Sequence, residues 1–335
     1  MEKVLFINAN MKRYNNLYEK MIAVDNINTA YKNAKIGKRH YREVIEIDRN
    51  PGVYIDKLHH ILKSEQFINS DYVVFKRFTG HKEREIYKLP FFPDRIVHHC
   101  IVQIMQPIWI SILIRNTFST IPYRGIHDGV NRIKHSLKDK QETKYCLKMD
   151  VKKYYPSIDH DILKSILRRK IKDKKLINLM NIIIDSAPGI PIGNYISQWF
   201  GNIYLAYFDH FVKENLKVKY YFRYADDLVI FDRSKQHLSS IKTAIEQYLN
   251  NNLNLKLKEN YQIFPIDIRG VDFLGYRFFH DYTLIRKSIV NNFKRKIKNR
   301  RANKHIDSAY WGWFKHADTY RLTNKYFTNE RILKN

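Results

Sequence analysis

Cysteine is almost missing from this chain: Cys100 and Cys146 are the two among 335 residues. They make neither a disulfide framework nor a metal-ligand spacing, so a reducing, intracellular setting is the default. No apolar run approaches the roughly 20 residues of a membrane-spanning helix. The start, Met1 to Asn8, lacks the basic segment and long apolar core of a signal peptide, so a soluble, cytoplasmic protein is expected. Acid is scarce as well, with 33 Asp and Glu against 60 Lys and Arg and a formal net charge of +27. A field this large and of one sign argues for a polyanionic partner, nucleic acid first and a membrane surface second. Aromatic residues at 14% fit that partner, because bases and sugars stack on rings. None of this separates an enzyme from a binder.

The few acids that matter most sit in Tyr220-Tyr-Phe-Arg-Tyr-Ala-Asp-Asp-Leu-Val-Ile-Phe231. Two strand-forming apolar runs around a short polar break read as a β-hairpin. Asp226 and Asp227 stand side by side at its tip, where like charges repel and burial is costly unless a cation neutralises them. Magnesium does this while leaving positions open for substrate phosphates. An Asp-Asp pair is also an ordinary turn sequence, so a third carboxylate on a neighbouring strand is needed. Asp150, ending the strand-like run Lys144-Tyr-Cys-Leu-Lys-Met-Asp150, is the candidate.

Residues 11–70 read as basic helices, with Leu17, Met21 and Val24, then Ile55, Leu58, Ile61 and Leu62, at helical spacing. The basic run Lys32–Arg42 is either a solvated helix face or an RNA-phosphate contact. Tyr72–Phe78 and Glu85–Leu89 read as two strands joined by a turn containing Gly80. A helix is expected over Pro93–Met105, with His98 and His99 as packing or surface groups, because nothing partners them at metal spacing. Ser157 and Asp159 are N-cap candidates for a helix over Ile162–Ile171, and Asp161 complements its dipole. Gly189 and Gly193 are read as permitting close backbone approach to a ligand, with a helix from about Ser197. Leu238–Leu255 has amphipathic helical spacing. The basic run Lys294–Lys304 precedes Trp311, Trp313 and Phe314, either as a phosphate-holding element or as a solvated face.

Tyr224-Ala-Asp-Asp227, with Asp150 and the aromatic Tyr155 five residues after it, resembles the catalytic motifs of reverse transcriptases. Asp94-Arg-Ile-Val97 and Phe273-Leu-Gly275 are similar to further segments of that family. Ile192-Gly-Asn-Tyr-Ile-Ser-Gln198 is most like the enzymes of diversity-generating retroelements; group II intron proteins carry Gln-Gly-x-x-x-Ser-Pro there. The resemblance covers about residues 30–315, so no nuclease appendage is expected.

It implies an α+β, right-hand polymerase fold. The basic helical N-terminal extension would be 1–70, the fingers 71–145 with part of 160–200, the palm 146–282 and a small basic thumb 283–335. It implies RNA-templated DNA synthesis with two Mg2+ ions, Mn2+ being a substitute, held by Asp150, Asp226, Asp227 and the Val151 carbonyl. It further implies that Tyr155 screens out the ribose 2′-hydroxyl and that Ile192, in place of a polar Gln, lies against the incoming nucleotide and loosens base selection. Gly193, Gln198 and Tyr224 would line the same site. Arg84 and Lys88 would grip the triphosphate, Arg124 a phosphate, and Lys258, rather than Lys256, would protonate the leaving pyrophosphate. Phe273, Leu274 and Gly275 would position the primer end. The implied partners are template RNA, the RNA/DNA duplex, deoxynucleotides and a small basic accessory protein, with no membrane. The alternatives are a phage-defence enzyme copying a non-coding RNA, a group II intron-like enzyme, and a non-catalytic RNA-binding protein that kept the fold.

Overall fold

The computed structural model describes residues 12–79, 82–298 and 304–326. Gly80 and part of the basic run, Arg300 and Arg301 among it, lie outside them. In chain order the elements are α1 (Tyr18–Ile22), α2 (Val24–Ala34), α3 (Arg42–Arg49), α4 (Pro51–Lys63), β1 (Val73–Thr79), β2 (Lys82–Lys88), α5 (Ile96–Ile110), β3 (Thr117–Phe118), α6 (Ile126–Leu137), β4 (Tyr145–Asp150), α7 (His160–Lys170), α8 (Lys174–Ile184), α9 (Tyr195–Tyr204) and α10 (Ala206–His210). There follow β5 (Tyr220–Tyr224), β6 (Asp227–Asp232), α11 (Lys235–Leu253), β7 (Gln262–Pro265), α12 (Ile266–Arg269), β8 (Val271–Phe273), β9 (Tyr276–Phe278), β10 (Thr283–Ile285), α13 (Lys287–Lys298), α14 (Lys304–Phe314) and α15 (Tyr320–Tyr326). Among the described residues no helix is long and apolar enough to cross a membrane.

Two compact units emerge, each assembled from separated stretches of chain. Of the described residues, one takes those within 1–115, 151–211 and 246–256; the other takes those within 116–150, 212–245 and 257–335.

The first unit is mainly helical. Met21, Ile27, Ala30, Leu58, Leu62, Val97, Ile101 and Met105, at helical spacing on α1, α2, α4 and α5, are all buried. On the α7–α9 side Leu163, Leu167, Met180, Ile184, Trp199 and Ile203 are buried. Asp173 ties α1 to α8. Its carboxylate accepts from Leu176 N–H as the α8 cap and from Leu17 and Tyr18 N–H at 2.7 and 2.8 Å. Three amide donors satisfy this buried acid. Asp159 caps α7 through Ile162 N–H at 3.0 Å, so Asp159 and not Ser157 starts that helix. His98 and His99 are buried, and desolvation lowers their basicity to about 3 and about 4, which keeps both neutral.

The second unit is built on a five-stranded sheet of order β3-β5-β6-β4-β7, antiparallel except for the β3–β5 pair. Leu228, Val229, Ile230 and Phe231 of β6 are all buried, the unbroken apolar run of a central strand covered on both faces. Strand periodicity puts Cys146, Lys148 and Asp150 on one face of β4. Across the register they meet Phe231, Val229 and Asp227 of β6. The apolar end of this face joins a core with Val130, Ile133 and Leu137 of α6 and with Phe273, Tyr276 and Phe278 of the β8-β9-β10 meander. Phe293 of α13 and Phe314 of α14 complete it. The polar end carries the acids.

Candidate active site

β4 and β6 run antiparallel with Asp150 directly opposite Asp227. That pairing alone sets their Cα atoms about 4.5–5.5 Å apart. Asp226 follows from the hairpin. Tyr224 and Asp227 are cross-strand partners, leaving Ala225 and Asp226 as a two-residue turn. Ala225 is in the left-handed region at φ 51°, which turns the chain sharply enough to present both acids at the strand ends. Beneath it Arg223, fully buried, donates from its guanidinium to the Ala225 carbonyl at 3.0 Å.

The carboxyls are close enough to perturb one another. The Asp226 and Asp150 carboxyls stand within hydrogen-bonding reach, and burial followed by the Asp150 charge pushes Asp226 up to about 6. Asp227 is raised too, by burial first; Lys148, Arg286 and Lys258 pull it back, while Asp150 raises it further. Lys258 is fixed next to Asp150 twice: its N–H donates to the Asp150 carbonyl at 2.9 Å, and its ammonium pairs with Asp150 Oδ2. The other oxygen, Asp150 Oδ1, is buried without a hydrogen-bond partner. Arg286 and Lys148 converge on Asp272, Arg286 at 2.6 Å from its carboxylate and Lys148 donating to its carbonyl at 2.6 Å.

This donor set fits a hard divalent ion. Three carboxylates supply oxygen ligands, one oxygen is buried and unsatisfied, and two acids resist ionisation because they are buried and crowd Asp150. Among the described residues no three His, Cys, Asp or Glu side chains already stand in ligand geometry, and Lys258 occupies one Asp150 oxygen. The Lys258 ammonium thus competes with any cation for Asp150 Oδ2, while Oδ1 is left open to one.

The remaining predicted residues fall into two groups. In the unit with the acids, Tyr224 is half-buried beside Asp227. Phe273 is buried, and Leu274 and Gly275 form the β8–β9 turn with φ 52° and 86°. Arg124 is in a loop where Ser119, Thr120 and Tyr123 all have positive φ (99°, 61° and 61°), an arrangement kept only under local constraint. Tyr123 is 99% exposed.

In the other unit, Val151 is buried directly after Asp150 in the chain, and Tyr155 lies ring-on to Gly201. Ile192 is half-buried, Gln198 is exposed on α9, and Arg84 and Lys88 are exposed on β2. At Gly189 and Gly193 the space a side chain would take is filled by protein backbone. A Cβ at Gly189 would fall 2.5 Å from the Pro156 carbonyl oxygen, and one at Gly193 2.5 Å from that of Tyr87.

Sequence reasoning missed Lys148, Arg223, Asp272, Arg286 and Arg77. Lys148 was readable, being two residues before Asp150 on a strand and so on the same face. Arg77 is the cross-strand neighbour of Arg84. Two like charges directly opposite are unfavourable without an anion between them.

A family model described as "Reverse transcriptase (RNA-dependent DNA polymerase)" matches residues 80–278. The chain belongs to the reverse transcriptase family. Among curated relatives, Protein YkfC of Escherichia coli K12 is 26% identical over 234 residues, covering 56% of this chain and 61% of its own. The group II intron-encoded protein LtrA of Lactococcus lactis subsp. cremoris is 21% identical over 375 residues, covering 88% of this chain and 61% of its own. The chain thus spans about 61% of the length of these relatives. A solved telomerase from Candida albicans, in complex with a telomeric RNA fragment, superposes with a TM-score of 0.49 at 10% identity, covering 70% of this chain and 51% of that one. A likeness at that level adds nothing to the family assignment. As a member of that family, the chain has an α+β, right-hand polymerase fold, and its five-stranded sheet bears Asp150, Asp226 and Asp227.

Proposed function

We propose that the protein is an RNA-directed DNA polymerase that extends a primer by two-metal nucleotidyl transfer. The observation that carries this reading is the register placing Asp150 opposite Asp227, with Asp226 within hydrogen-bonding reach of Asp150. Members of this family work with divalent ions. Two Mg2+ ions, or Mn2+ in their place, supply activation of the primer 3′-hydroxyl and neutralisation of the triphosphate when bound. The chain's own contribution is placement and charge. Asp150, Asp226, Asp227 and the Val151 carbonyl hold the ions. Arg286 and Lys148 make the rim around Asp227 cationic and suit it to phosphate. Lys258, released from Asp150, carries a proton on Nζ for the leaving pyrophosphate. Tyr155 excludes the ribose 2′-hydroxyl, and Phe273, Leu274 and Gly275 seat the primer end. Arg84, Lys88 and Arg124 contact phosphate, while Gly193, Gln198 and Tyr224 line the nucleotide site.

The finer reading is an error-prone enzyme of a diversity-generating retroelement, copying a structured template RNA in the cytoplasm with a small basic accessory protein. Ile192, where a hydrogen-bonding Gln would select among bases, supports it. A group II intron-like enzyme is the second reading, favoured by the similarity to LtrA across 88% of this chain. Primer extension on an RNA template with each deoxynucleotide omitted in turn separates them. Read-through concentrated at template adenines supports diversification, and uniform stalling refutes it. Ile192→Gln should lower that read-through several-fold.

A further inference from the structure

The hairpin β1–β2 and the loop Ile192-Gly193-Asn194 lie in the same unit and are fastened together at two points. The first is backbone: Tyr87 N–H donates to the Ile192 carbonyl at 2.8 Å. Gly193, at φ 130°, comes so close to Tyr87 that any side chain there would strike its carbonyl oxygen. The second is a relay of hydroxyls. Asn194 Nδ2 donates to the Tyr72 hydroxyl at 3.0 Å, and Tyr72 contacts Ser186 Oγ at 2.8 Å. Ser186 in turn donates to the Ile183 carbonyl at 2.6 Å in the last turn of α8. Because the Ser186 proton goes to Ile183, Tyr72 must be the donor to Ser186, and all three bonds point one way. Aligned bonds of this kind reinforce one another. Tyr72 also packs edge-on against Tyr87, with centroids 5.5 Å apart.

Asn194 shows what the second tether displaces. It is the N-cap residue of α9, where an asparagine side chain ordinarily accepts from the first helical amides, yet it makes no capping bond. Its amide is committed to Tyr72. A local rule is set aside to hold the stem of the hairpin against the loop that carries Ile192.

We infer that Tyr72 is a positioning residue for nucleotide selection: its hydroxyl locks the β1–β2 hairpin to the 192–194 loop, so that the cations of the hairpin and the side chain of Ile192 take up their places together. This rests on the reading of Ile192 and of Arg84 and Lys88 as nucleotide-facing. With the two held together, the residue that faces the base is placed by the same hairpin that grips the phosphates.

The test is steady-state single-nucleotide insertion by Tyr72→Phe on an RNA template. It is paired with amide hydrogen exchange of the 83–88 and 190–196 segments in the protein alone. The phenylalanine keeps the ring and removes one hydroxyl, so KM for the correct deoxynucleotide should rise about three- to tenfold with kcat within about twofold. The ratio of correct to incorrect insertion should change in parallel. Asn194→Leu should give the same phenotype, and the double variant no more than either single one. Exchange should quicken in both segments together. Unchanged KM and insertion ratio in an actively extending Tyr72→Phe overturn the inference and leave the polymerase reading intact, as does quickened exchange in one segment alone. A lower melting temperature with unaltered kinetics also overturns it, since that is what a purely structural tyrosine gives. A wild-type protein that extends no primer defeats the polymerase reading and this inference with it.

Discussion

Asp226→Asn should make the metal-free protein more stable at neutral pH, although it removes a catalytic group. Asp226 is held with a proton affinity raised from 3.8 to about 6, by burial first and by Asp150 second. For a carboxyl raised on folding, the folded state binds the proton more tightly than the unfolded one. The wild-type protein is therefore relieved of the penalty below about pH 4 and loses stability as pH climbs to about 6, with no further loss above. A shift of about two units at 1.36 kcal/mol per unit sets an upper bound of about 3 kcal/mol, and about 1–3 kcal/mol is expected after relaxation. The asparagine carries no charge and keeps a donor for Asp150. At roughly 2 °C per kcal/mol for a chain of this size, that is about 2–6 °C in melting temperature. The assay is thermal unfolding in chelator at pH 4.5 and 7.5, repeated with millimolar Mg2+. The gap between variant and wild type should be small at pH 4.5 and full at pH 7.5. Mg2+ should narrow it by stabilising the wild type. A variant no more stable than wild type at pH 7.5 in chelator would refute the reasoning, because the acids would then not be straining one another.

Lys258→Met should tighten Mn2+ binding, read by calorimetry or paramagnetic resonance, by several-fold, because an ammonium paired with Asp150 competes with the ion. The same change should slow nucleotide insertion. Arg223→Met should lower stability by about 2–4 kcal/mol in denaturant unfolding, because a buried guanidinium that supports the Ala225 carbonyl leaves polar partners unsatisfied. Gly193→Ala should destabilise by about 1–3 kcal/mol on the same measure, with φ 130° and the Tyr87 carbonyl oxygen 2.5 Å from the new methyl.

What was legible in the sequence was what is written locally. The 220–231 hairpin, the Asp226-Asp227 tip and Asp150 at the end of a strand are short-range patterns, and strand pairing then had few ways to join them. Asp159 as a cap was legible for the same reason. The cations around Asp227 were less so. Lys148, Arg286 and Asp272 meet only because β4 and the β8–β9 meander lie in one core, and no run of residues advertises that. Of that meander the sequence announced the segment Phe273-Leu-Gly275 and not its three strands. At Gly193 sequence shows that a Cβ is missing, never that the Tyr87 carbonyl oxygen fills its space. Arg223 read as a hairpin residue among others, whereas the fold buries it completely.

The most direct measurement is RNA-templated extension of a DNA primer by the wild type and by Asp150→Asn, Asp226→Asn and Asp227→Asn side by side, with RNA binding measured on the same preparations. Extension by the wild type alone, with RNA affinity held within about twofold in every variant, is the predicted result. Extension at wild-type rate by any of the three asparagine variants would contradict the claim that these acids jointly hold the ions at the growing DNA end.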